Sequence, residues 1–465
     1  MKHPGVRSTL LVGALAFLAG APACSSSATP SPPAAAADAG AGAADAASAD
    51  AGPPLSADGL YPLAGTDRAL PRGDLAPIGR LAKDATAVGL GESIHTSGGF
   101  YDMKVRVLEY LVAELGYRAI EFETPWAGAD DADAYVQTCT GTADDATRKL
   151  HTIWWATSVR DLLAFLCEWN KAHPSDRVRF GGWDIRQPWI DAPALRAFLK
   201  KASPADETRL MDGLSRCLGV GFADERAFFT DPKTQALYGG QPMSDDDRNA
   251  CAAGITAART HLETNQAQLT SATSAPEYQR ARLRVVGMGA FNETIYHYIG
   301  RDGAKGQEAR DVAMFDVWKT LRAQRGPQVK TGIWAHNLHL TRRNPEIEAA
   351  AYPKAITFGT LVDRELGARY VPIGLIGYKV SIDWHEGPKV SSFSSSKSIE
   401  KKLHDSGATL SFLDLTTPVE APFAGDASYE VSTERMKPSQ HYAGLVYIDA
   451  PKAPAWVGGT APFPK

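Results

Sequence analysis

Short apolar runs alternate with helix-like stretches through much of the chain, and this alternation most constrains its fold. Four apolar runs have the length and composition of buried strands: residues 86–90, 117–123, 177–184 and 329–335. Between them, apolar residues recur with helical spacing, as over residues 100–115 and 155–172. Because strands that alternate with helices form parallel sheets, the pattern predicts an α/β fold with a mainly parallel sheet flanked by helices.

The stretch from about residue 191 to residue 325 carries almost no strand signal. Helical patterns fill it instead, at residues 192–201, 206–217, 245–270, 277–300 and 306–325. We expect a large helical insertion that covers one edge of the sheet. Apolar runs at 371–378 and 445–449 are further strand candidates.

The first 24 residues have the pattern of an export signal. Lys2 and Arg7 precede an apolar run at residues 10–19, and small residues then lead to Cys24. We expect cleavage before Cys24 and lipidation of that residue, as in a bacterial lipoprotein. The alternative is an ordinary secretory signal that is cleaved near the same place.

A segment without aromatic or basic residues, 25–58, follows the signal and consists almost entirely of Ser, Ala, Pro, Gly and Asp. Such a composition buries too little apolar surface to fold, which predicts a disordered linker. The linker would tether a domain at residues 59–465 to a membrane of the bacterial envelope, at the periplasm or the cell surface.

Charge and cysteine content narrow the class of protein further. A formal net charge of -4 on 465 residues gives no electrostatic footprint for nucleic acid, so no nucleic-acid partner is expected. Export would place the cysteines in an oxidising compartment, where Cys217 and Cys251 are candidates for a disulfide. Cys167 lies on an apolar helical face and is predicted to be a small core residue.

Polar side chains with catalytic potential stand at the ends of the four predicted strands. They are Glu92 and His95, then Glu123, then Asp184, and finally His336, Asn337 and His339. Because ligands bind beyond the carboxyl ends of the strands in open α/β sheets, we expect an active cleft at this edge.

Lys104 gives a separate indication of the same site. Its helical spacing to Leu108, Leu111 and Leu115 places it on the core side of a helix, where a lysine needs an anionic partner or a solvated cleft. The alternative is a lysine whose stem is buried and whose ammonium reaches water at the helix start.

The familiar nucleophile and cofactor motifs are missing from the sequence. It contains no GxSxG, HExxH, P-loop or GxGxxG motif. Histidines and carboxylates without a serine or cysteine nucleophile suggest that a histidine held by a glutamate activates water directly. Lys104 or a second histidine would then stabilise the oxyanion.

Four sequence blocks resemble the erythromycin esterase family. They are GLGESIHTSGGFYDMKVRVLEYLVAELGYRAIEFETPW at residues 89–126, RFGGWDIRQP at 179–188, ARDVAM at 309–314 and KTGIWAHNLHLTR at 330–342. The resemblance implies a mixed α/β sheet with a helical elaboration beside a deep cleft. It also implies a hydrolase that opens a macrolactone or another bulky ester, as in antibiotic resistance. The glycine that commonly follows the family's first histidine is Thr96 here.

The resemblance also implies roles for individual residues. His95 would be the general base, with Glu92, Glu123 and His336 completing the catalytic set. Lys104, Asn337, His339, Trp126 and Asp184 would bind the substrate, a small-molecule ester. No cofactor is needed on this interpretation.

Two alternative functions stay open at this point. In the wider group that includes the Tiki-type proteases, Glu92, His95, Glu123 and His336 would bind a divalent metal, and metal-bound water would be the nucleophile. In a non-catalytic ligand-binding lipoprotein, the cleft would hold tryptophans such as Trp126, Trp154, Trp155, Trp183 and Trp189.

Overall fold

The computed structural model describes residues 59–384, 387–392, 395–416, 428–432 and 434–463. The predicted export signal with Cys24 and the predicted linker, residues 1–58, lie outside the described residues. Within the described ranges, no helix is both long enough and apolar enough to cross a membrane.

Strands and helices alternate along the chain. The strands are β1 (Leu60–Pro62), β2 (Ala87–Leu90), β3 (Ala119–Pro125), β4 (Arg179–Asp184), β5 (Thr331–Trp334), β6 (Tyr370–Ile376), β7 (Lys379–Trp384), β8 (Gly387–Ser392), β9 (Leu410–Asp414), β10 (Tyr429–Val431), β11 (Glu434–Met436) and β12 (Gly444–Ile448). The helices are α1 (Ala76–Ala82), α2 (Gly98–Leu115), α3 (Trp126–Thr138), α4 (Ala143–Thr147), α5 (Thr157–Ala172), α6 (Pro188–Ala202), α7 (Pro204–Leu214), α8 (Glu225–Thr230), α9 (Pro232–Tyr238), α10 (Asp245–Thr264), α11 (Gln266–Ala272), α12 (Ala275–Tyr298), α13 (Gly303–Arg325), α14 (Asn337–Leu340), α15 (Phe358–Leu366), α16 (Ile399–Asp405) and α17 (Pro438–His441).

Eight strands form the main sheet in the order β1-β9-β12-β6-β2-β5-β3-β4. The strands from β12 to β4 pair in parallel, whereas β9 pairs antiparallel with both β12 and β1. The predicted α/β fold with a mainly parallel sheet is therefore confirmed. Strands β1 and β9 were not predicted, because they are short and β1 ends in a proline.

The strand register brings the predicted polar residues to one edge of the sheet. Trp334 at the end of β5 pairs with Leu90 of β2 on one side and with Phe122 of β3 on the other. Pro125 of β3 pairs with Asp184 of β4. The segments that follow β2, β3, β4 and β5 consequently emerge side by side.

Helices α6 to α13 fill the region between β4 and β5, where the sequence predicts a helical insertion. Helix α12 packs on α6 and α13, and α13 also packs on β4, which is the last strand of the sheet. The contact with β4 brings α13 beside the strand ends that carry the polar residues.

Two disulfides cross-link helices. Cys217 pairs with Cys251 as anticipated, joining the segment after α7 to α10. Cys139 pairs with Cys167, so Cys167 is a buried core residue, as predicted, but also a disulfide partner, which was not predicted. Burial of the Cys167 side chain and its apolar helical face are equally compatible with a disulfide, and the sequence pattern alone gave no partner.

The Cys217–Cys251 disulfide should contribute measurably to stability. Its 34-residue separation predicts a loss of about 3 to 4 kcal/mol on replacement of both cysteines by serine, because the unfolded chain gains entropy. Urea denaturation of the Cys217→Ser/Cys251→Ser variant measures the loss. An unchanged unfolding free energy under non-reducing conditions would contradict the pairing.

Candidate active site

The loop after β2 is tied to the neighbouring strand before helix α2 begins. The amides of Gly91 and Ser93 donate to the carbonyl oxygens of Ile373 and Leu375, at 2.8 and 3.0 Å. A Cβ atom at Gly91 would lie 1.9 Å from Oδ1 of Asn337, so only glycine fits there. This close approach fixes the backbone on which Glu92 and His95 stand.

His95 is held by a buried glutamate. Its Nδ1 lies 2.8 Å from Oε1 of Glu92, whose side chain is fully buried. The other carboxylate oxygen of Glu92 forms an ion pair with Nζ of Lys104, which α2 brings to the same point. Lys104 is thus on the core side of its helix with an anionic partner, as the helical spacing indicates.

Lys104 is fully buried, and its predicted role in substrate binding stays a prediction. Its Nζ also donates to the carbonyl oxygen of Ala335 at 3.0 Å and lies 4.9 Å from the centroid of the Trp334 ring. Burial lowers the pKa of Lys104 well below its ordinary value, although the carboxylate of Glu123 opposes this shift. The geometry makes Lys104 a residue that positions Glu92.

The imidazole of His95 is neutral and one of its nitrogens is available. Burial lowers the pKa of His95 to about 3, against the opposing effect of Glu123. Glu92 occupies Nδ1, while no described residue forms a hydrogen bond with Nε2, and the side chain is 14% exposed. A neutral imidazole with a free Nε2 at a solvent-accessible surface can accept a proton from water.

The residue after His95 has a left-handed backbone conformation. Thr96 has a φ of 60°, a backbone region that glycine adopts more readily than threonine. Hydrogen bonds stabilise this conformation. The amide of Thr96 donates to the hydroxyl of Tyr101 at 2.9 Å, and its carbonyl oxygen accepts from the backbone amide of Asp383 at 3.2 Å. The turn directs the chain from His95 into α2.

Glu123 is the hub of a second set of charges. Its Oε1 accepts from Nη2 of Arg310 at 2.8 Å and lies 3.1 Å from Nε2 of His339. Its Oε2 accepts from the amide of His336 at 2.9 Å. Although burial alone would raise the pKa of Glu123, His339 and Arg310 hold it well below its usual value, so the group is a carboxylate.

Arg310 joins β3 and β4 to the helical insertion. From α13 its Nη2 reaches Oδ2 of Asp184 at 2.9 Å, and its Nε reaches Oδ1 at 3.2 Å. Arg186 also donates to Oδ2 of Asp184, at 2.7 Å. Burial opposes ionisation, but Arg186 and Arg310 lower the pKa of Asp184 below its ordinary value.

His339 carries a positive charge inside this cluster. Its Nδ1 donates to Oδ1 of Asp311 at 2.6 Å, which also accepts from the amide of Phe358 at 2.9 Å. Against the cost of burial, the carboxylates of Asp311 and Glu123 raise the pKa of His339 to about 9. His339 is therefore an imidazolium at neutral pH.

His336 lies beside His95 but has both ring nitrogens occupied. The amide of Leu338 donates to its Nδ1 at 3.1 Å, so the hydrogen is on Nε2, which donates to the carbonyl oxygen of Ser93 at 3.1 Å. Burial lowers the pKa of His336 to about 4. The rings of His95 and His336 are 5.0 Å apart, centroid to centroid. His336 therefore braces the His95 loop, and its catalytic assignment stays a prediction.

Two predicted substrate-binding residues make structural contacts. Asn337 donates from Nδ2 to the carbonyl oxygen of Leu375 at 3.2 Å and is almost fully buried. Trp126, also buried, begins α3 and packs under the guanidinium of Arg284, which lies 4.9 Å from the ring centroid. Their roles in substrate binding likewise stay predictions.

A cavity of about 50 Å³ opens beside Arg310. Its polar lining includes Arg186, Arg310, His151 and Glu225, and Trp189 contributes an aromatic wall. Of the other tryptophans named for a binding protein, Trp154 and Trp183 are fully buried core residues. The cavity borders the charge cluster at Arg186 and Arg310.

Arg310, Asp311 and Arg186 belong to the site but were not singled out from the sequence. Arg310 and Asp311 lie in the ARDVAM block, where charged residues on a helix also fit a solvated face. Arg186 lies in RFGGWDIRQP, two residues after Asp184. Their presence in blocks that resemble a family was the one signal that could have identified them.

The proposed metal ligands do not converge. Among the described residues, the one group of three ligand-type side chains with ligand atoms within 4.8 Å of one another is Cys139, Cys167 and Glu168. The cysteines of that group are joined in a disulfide. Glu92, His95, Glu123 and His336 face different hydrogen-bond partners, so this donor set does not fit one ion.

Most of the sequence matches a known enzyme family. The erythromycin esterase profile covers residues 112–451. Erythromycin esterase type II of Escherichia coli is 22% identical over 360 residues, which are 73% of this chain and 83% of that protein. The putative hydrolase YbfO of Bacillus subtilis is 22% identical over 404 residues, 81% of this chain and 86% of that protein.

Solved structures show the same fold. A protein from Bacillus cereus superimposes with a TM-score of 0.66 at 19% identity, over 85% of this chain and 96% of that one. A succinoglycan biosynthesis protein gives 0.67 at 17% identity, over 86% and 96%. A mutant of the erythromycin esterase EreC in its open conformation gives 0.65 at 16%, over 83% and 96%. The chain belongs to the erythromycin esterase family, and this membership makes it a hydrolase.

Removing Arg310 should destabilise the fold. Arg310→Gln leaves Glu123 and Asp184 as buried carboxylates with less counter-charge, which we expect to cost about 3 to 5 kcal/mol. Arg209→Gln is the matched control, because Arg209 pairs with Asp206 at the exposed surface. Denaturation of both variants measures the losses; equal effects would contradict the bridging role of Arg310.

The charge on His339 should make stability depend on pH. Its folded pKa of about 9 exceeds the ordinary value of about 6.5, so its stabilising effect is complete below pH 6.5 and is lost as the pH rises through 9. The difference in unfolding free energy between the native protein and His339→Gln should therefore shrink between pH 6 and pH 9.5. A difference that stays constant or grows with pH would contradict an imidazolium at this position.

Proposed function

We propose that this chain hydrolyses a carboxylic ester, either a macrolactone or another bulky ester, with water activated by His95. The observation that carries the proposal is the Glu92–His95 pair, 2.8 Å apart, which leaves Nε2 of a neutral imidazole free. Family membership supports the reaction class. The name of the Escherichia coli relative supports a macrolide as a first substrate to test.

The proposed reaction begins with proton transfer from water to Nε2 of His95. The water oxygen bonds to the ester carbonyl carbon as this proton leaves, giving a tetrahedral oxyanion and an imidazolium. Glu92 stabilises the imidazolium through Nδ1. The imidazolium then returns the proton to the departing alkoxide, so that an acid and an alcohol result and the base is neutral again.

A cation must stabilise the oxyanion that develops in this step. Lys104 is enclosed between Glu92, Ala335 and Trp334, so it acts by holding Glu92. Arg186 is 25% exposed, lines the cavity and lies close enough to His95 to lower its pKa. We assign oxyanion stabilisation to Arg186 on this basis.

We also propose that the protein is exported and held at a membrane of the bacterial envelope by a lipid on Cys24. The N-terminal sequence pattern motivates this proposal. The disulfides Cys139–Cys167 and Cys217–Cys251 support it, because such bonds persist in oxidising compartments.

Replacement of His95 tests the catalytic proposal. His95→Asn should lower kcat by a factor of about 100 to 10,000, the usual contribution of a general base, and leave the melting temperature nearly unchanged. His173→Asn is the matched control, since His173 is exposed and lies before the start of β4, whereas the site residues follow the ends of the strands. The assay follows the gain of one water by mass, on a 14-membered macrolide and a panel of simple esters.

The same assay separates the metal-free reaction from its alternative. Activity should persist in EDTA. Full activity of His95→Asn, or loss of activity in EDTA with recovery on adding Mn²⁺ or Zn²⁺, would contradict the proposal.

A further inference from the structure

The cavity beside Arg310 contains a carboxylate that the proposed reaction does not use. Glu225 is the first residue of helix α8, in the helical insertion, and its side chain is 29% exposed. It lines the cavity together with Arg186 and Arg310. Because Glu225 lines the cavity, the charges around it indicate which ligand group the cavity can bind.

The charges behind the cavity wall already balance one another. The cluster contains three cations and three carboxylates: Arg186, Arg310 and His339, and Glu123, Asp184 and Asp311. Arg186 and Arg310 share Asp184, and Arg310 also pairs with Glu123. No cation of this cluster is left over for Glu225.

The ion-pair neighbour that the structure gives Glu225 is a histidine without charge. Nε2 of His151 lies 3.8 Å from Oε1 of Glu225. Burial lowers the pKa of His151 to about 3 and raises the pKa of Glu225, while Arg186 partly offsets the second shift. A cation that arrives with a ligand would therefore stabilise the ionised carboxylate of Glu225.

Aromatic rings line the same cavity. Phe229 lies one helical turn after Glu225, so the two side chains share a face of α8. Trp189 and Tyr238 complete this part of the wall. The centroid of the Phe229 ring lies 6.2 Å from the ring centroid of Trp189 and 5.3 Å from that of Tyr238. Aromatic faces next to a carboxylate are the surroundings that bind alkylated ammonium groups.

We propose that Glu225, with Trp189, Phe229 and Tyr238, forms a subsite for an alkylated ammonium group of the substrate. The proposal rests on the proposed function, since it assigns a substrate class to the same cleft: esters that carry a tertiary or quaternary amine. Glu225 provides the counter-charge, and the rings replace the water around the alkyl groups. On this proposal the helical insertion, which supplies Arg310, also determines which esters bind, because Glu225 belongs to it.

Binding of a small cation tests the subsite without turnover. Isothermal titration of the full chain compares choline with 3,3-dimethylbutan-1-ol, in which carbon replaces the charged nitrogen. Choline should bind at least about tenfold more tightly, and Glu225→Gln should abolish that preference. Glu225→Asp, which keeps the charge, should restore part of it. Glu114→Gln, at an exposed carboxylate on α2, is the matched control and should bind choline as the native chain does.

A second readout uses the corresponding esters, choline and 3,3-dimethylbutyl, of one carboxylic acid. The native chain should favour the choline ester in kcat/KM by about tenfold, mainly through KM. In Glu225→Gln this preference should vanish, because kcat/KM for the choline ester falls about tenfold further than kcat/KM for the neutral ester. Phe229→Leu should weaken the preference without abolishing it.

These two readouts distinguish the failure of the subsite from the failure of the proposed function. Equal affinity for choline and its neutral isostere, an unchanged preference in Glu225→Gln, or tighter binding of an anionic analogue would overturn the ammonium subsite. Choline binding that depends on Glu225, without hydrolysis of any ester, would support the subsite and contradict the esterase proposal.

Discussion

The bridge that Arg310 makes between Glu123 and Asp184 is the interaction on which the site depends. It joins a helix of the insertion to the ends of two neighbouring strands, inside the protein, where an unpaired carboxylate is costly. Glu123 in turn accepts the amide of His336 and contacts His339, so the segment after β5 is fixed by the same bridge. The insertion is thus part of the candidate active site, because Arg310 supplies the charge that pairs with the carboxylates at the strand ends.

Buried charges have two different roles in the candidate site: one set positions a neutral histidine, and the other keeps a second histidine protonated. On one side, Lys104 and Glu92 hold His95, the neutral group that is left with a free nitrogen. On the other side, Asp311 and Glu123 keep His339 charged, against the opposing effect of Arg310. The two histidines have opposite protonation states. Burial has the largest effect on the pKa of His95 and lowers it, whereas at His339 the two carboxylates outweigh the effect of burial and raise the pKa.

Much of this arrangement could be predicted from the sequence, because the governing rule is topological. Apolar runs that alternate with helices imply parallel strands, and parallel strands place Glu92, Glu123, Asp184 and His336 at one edge. The spacing of Lys104 likewise placed it on the core side of its helix, but left open whether its ammonium group is buried or reaches water. Arg310 and Asp311 escaped prediction because only tertiary packing turns their helical face toward the sheet, and the Cys139–Cys167 disulfide because pairing depends on distance in space. The individual roles of His336 and His339 depend on hydrogen-bond partners, which no spacing shows.

The proposed reaction requires that His95 is a neutral base whose Nδ1 is hydrogen-bonded to Glu92 and whose Nε2 is free. Nitrogen NMR of the full chain with labelled histidine, assigned through His95→Asn, measures this directly. We expect a protonated Nδ1 and an unprotonated Nε2 at pH 7, and a ring that stays neutral when the pH is lowered to 5, because burial lowers the pKa of His95 to about 3. A His95 ring that becomes an imidazolium near pH 6.5, or that carries its single proton on Nε2, would contradict it.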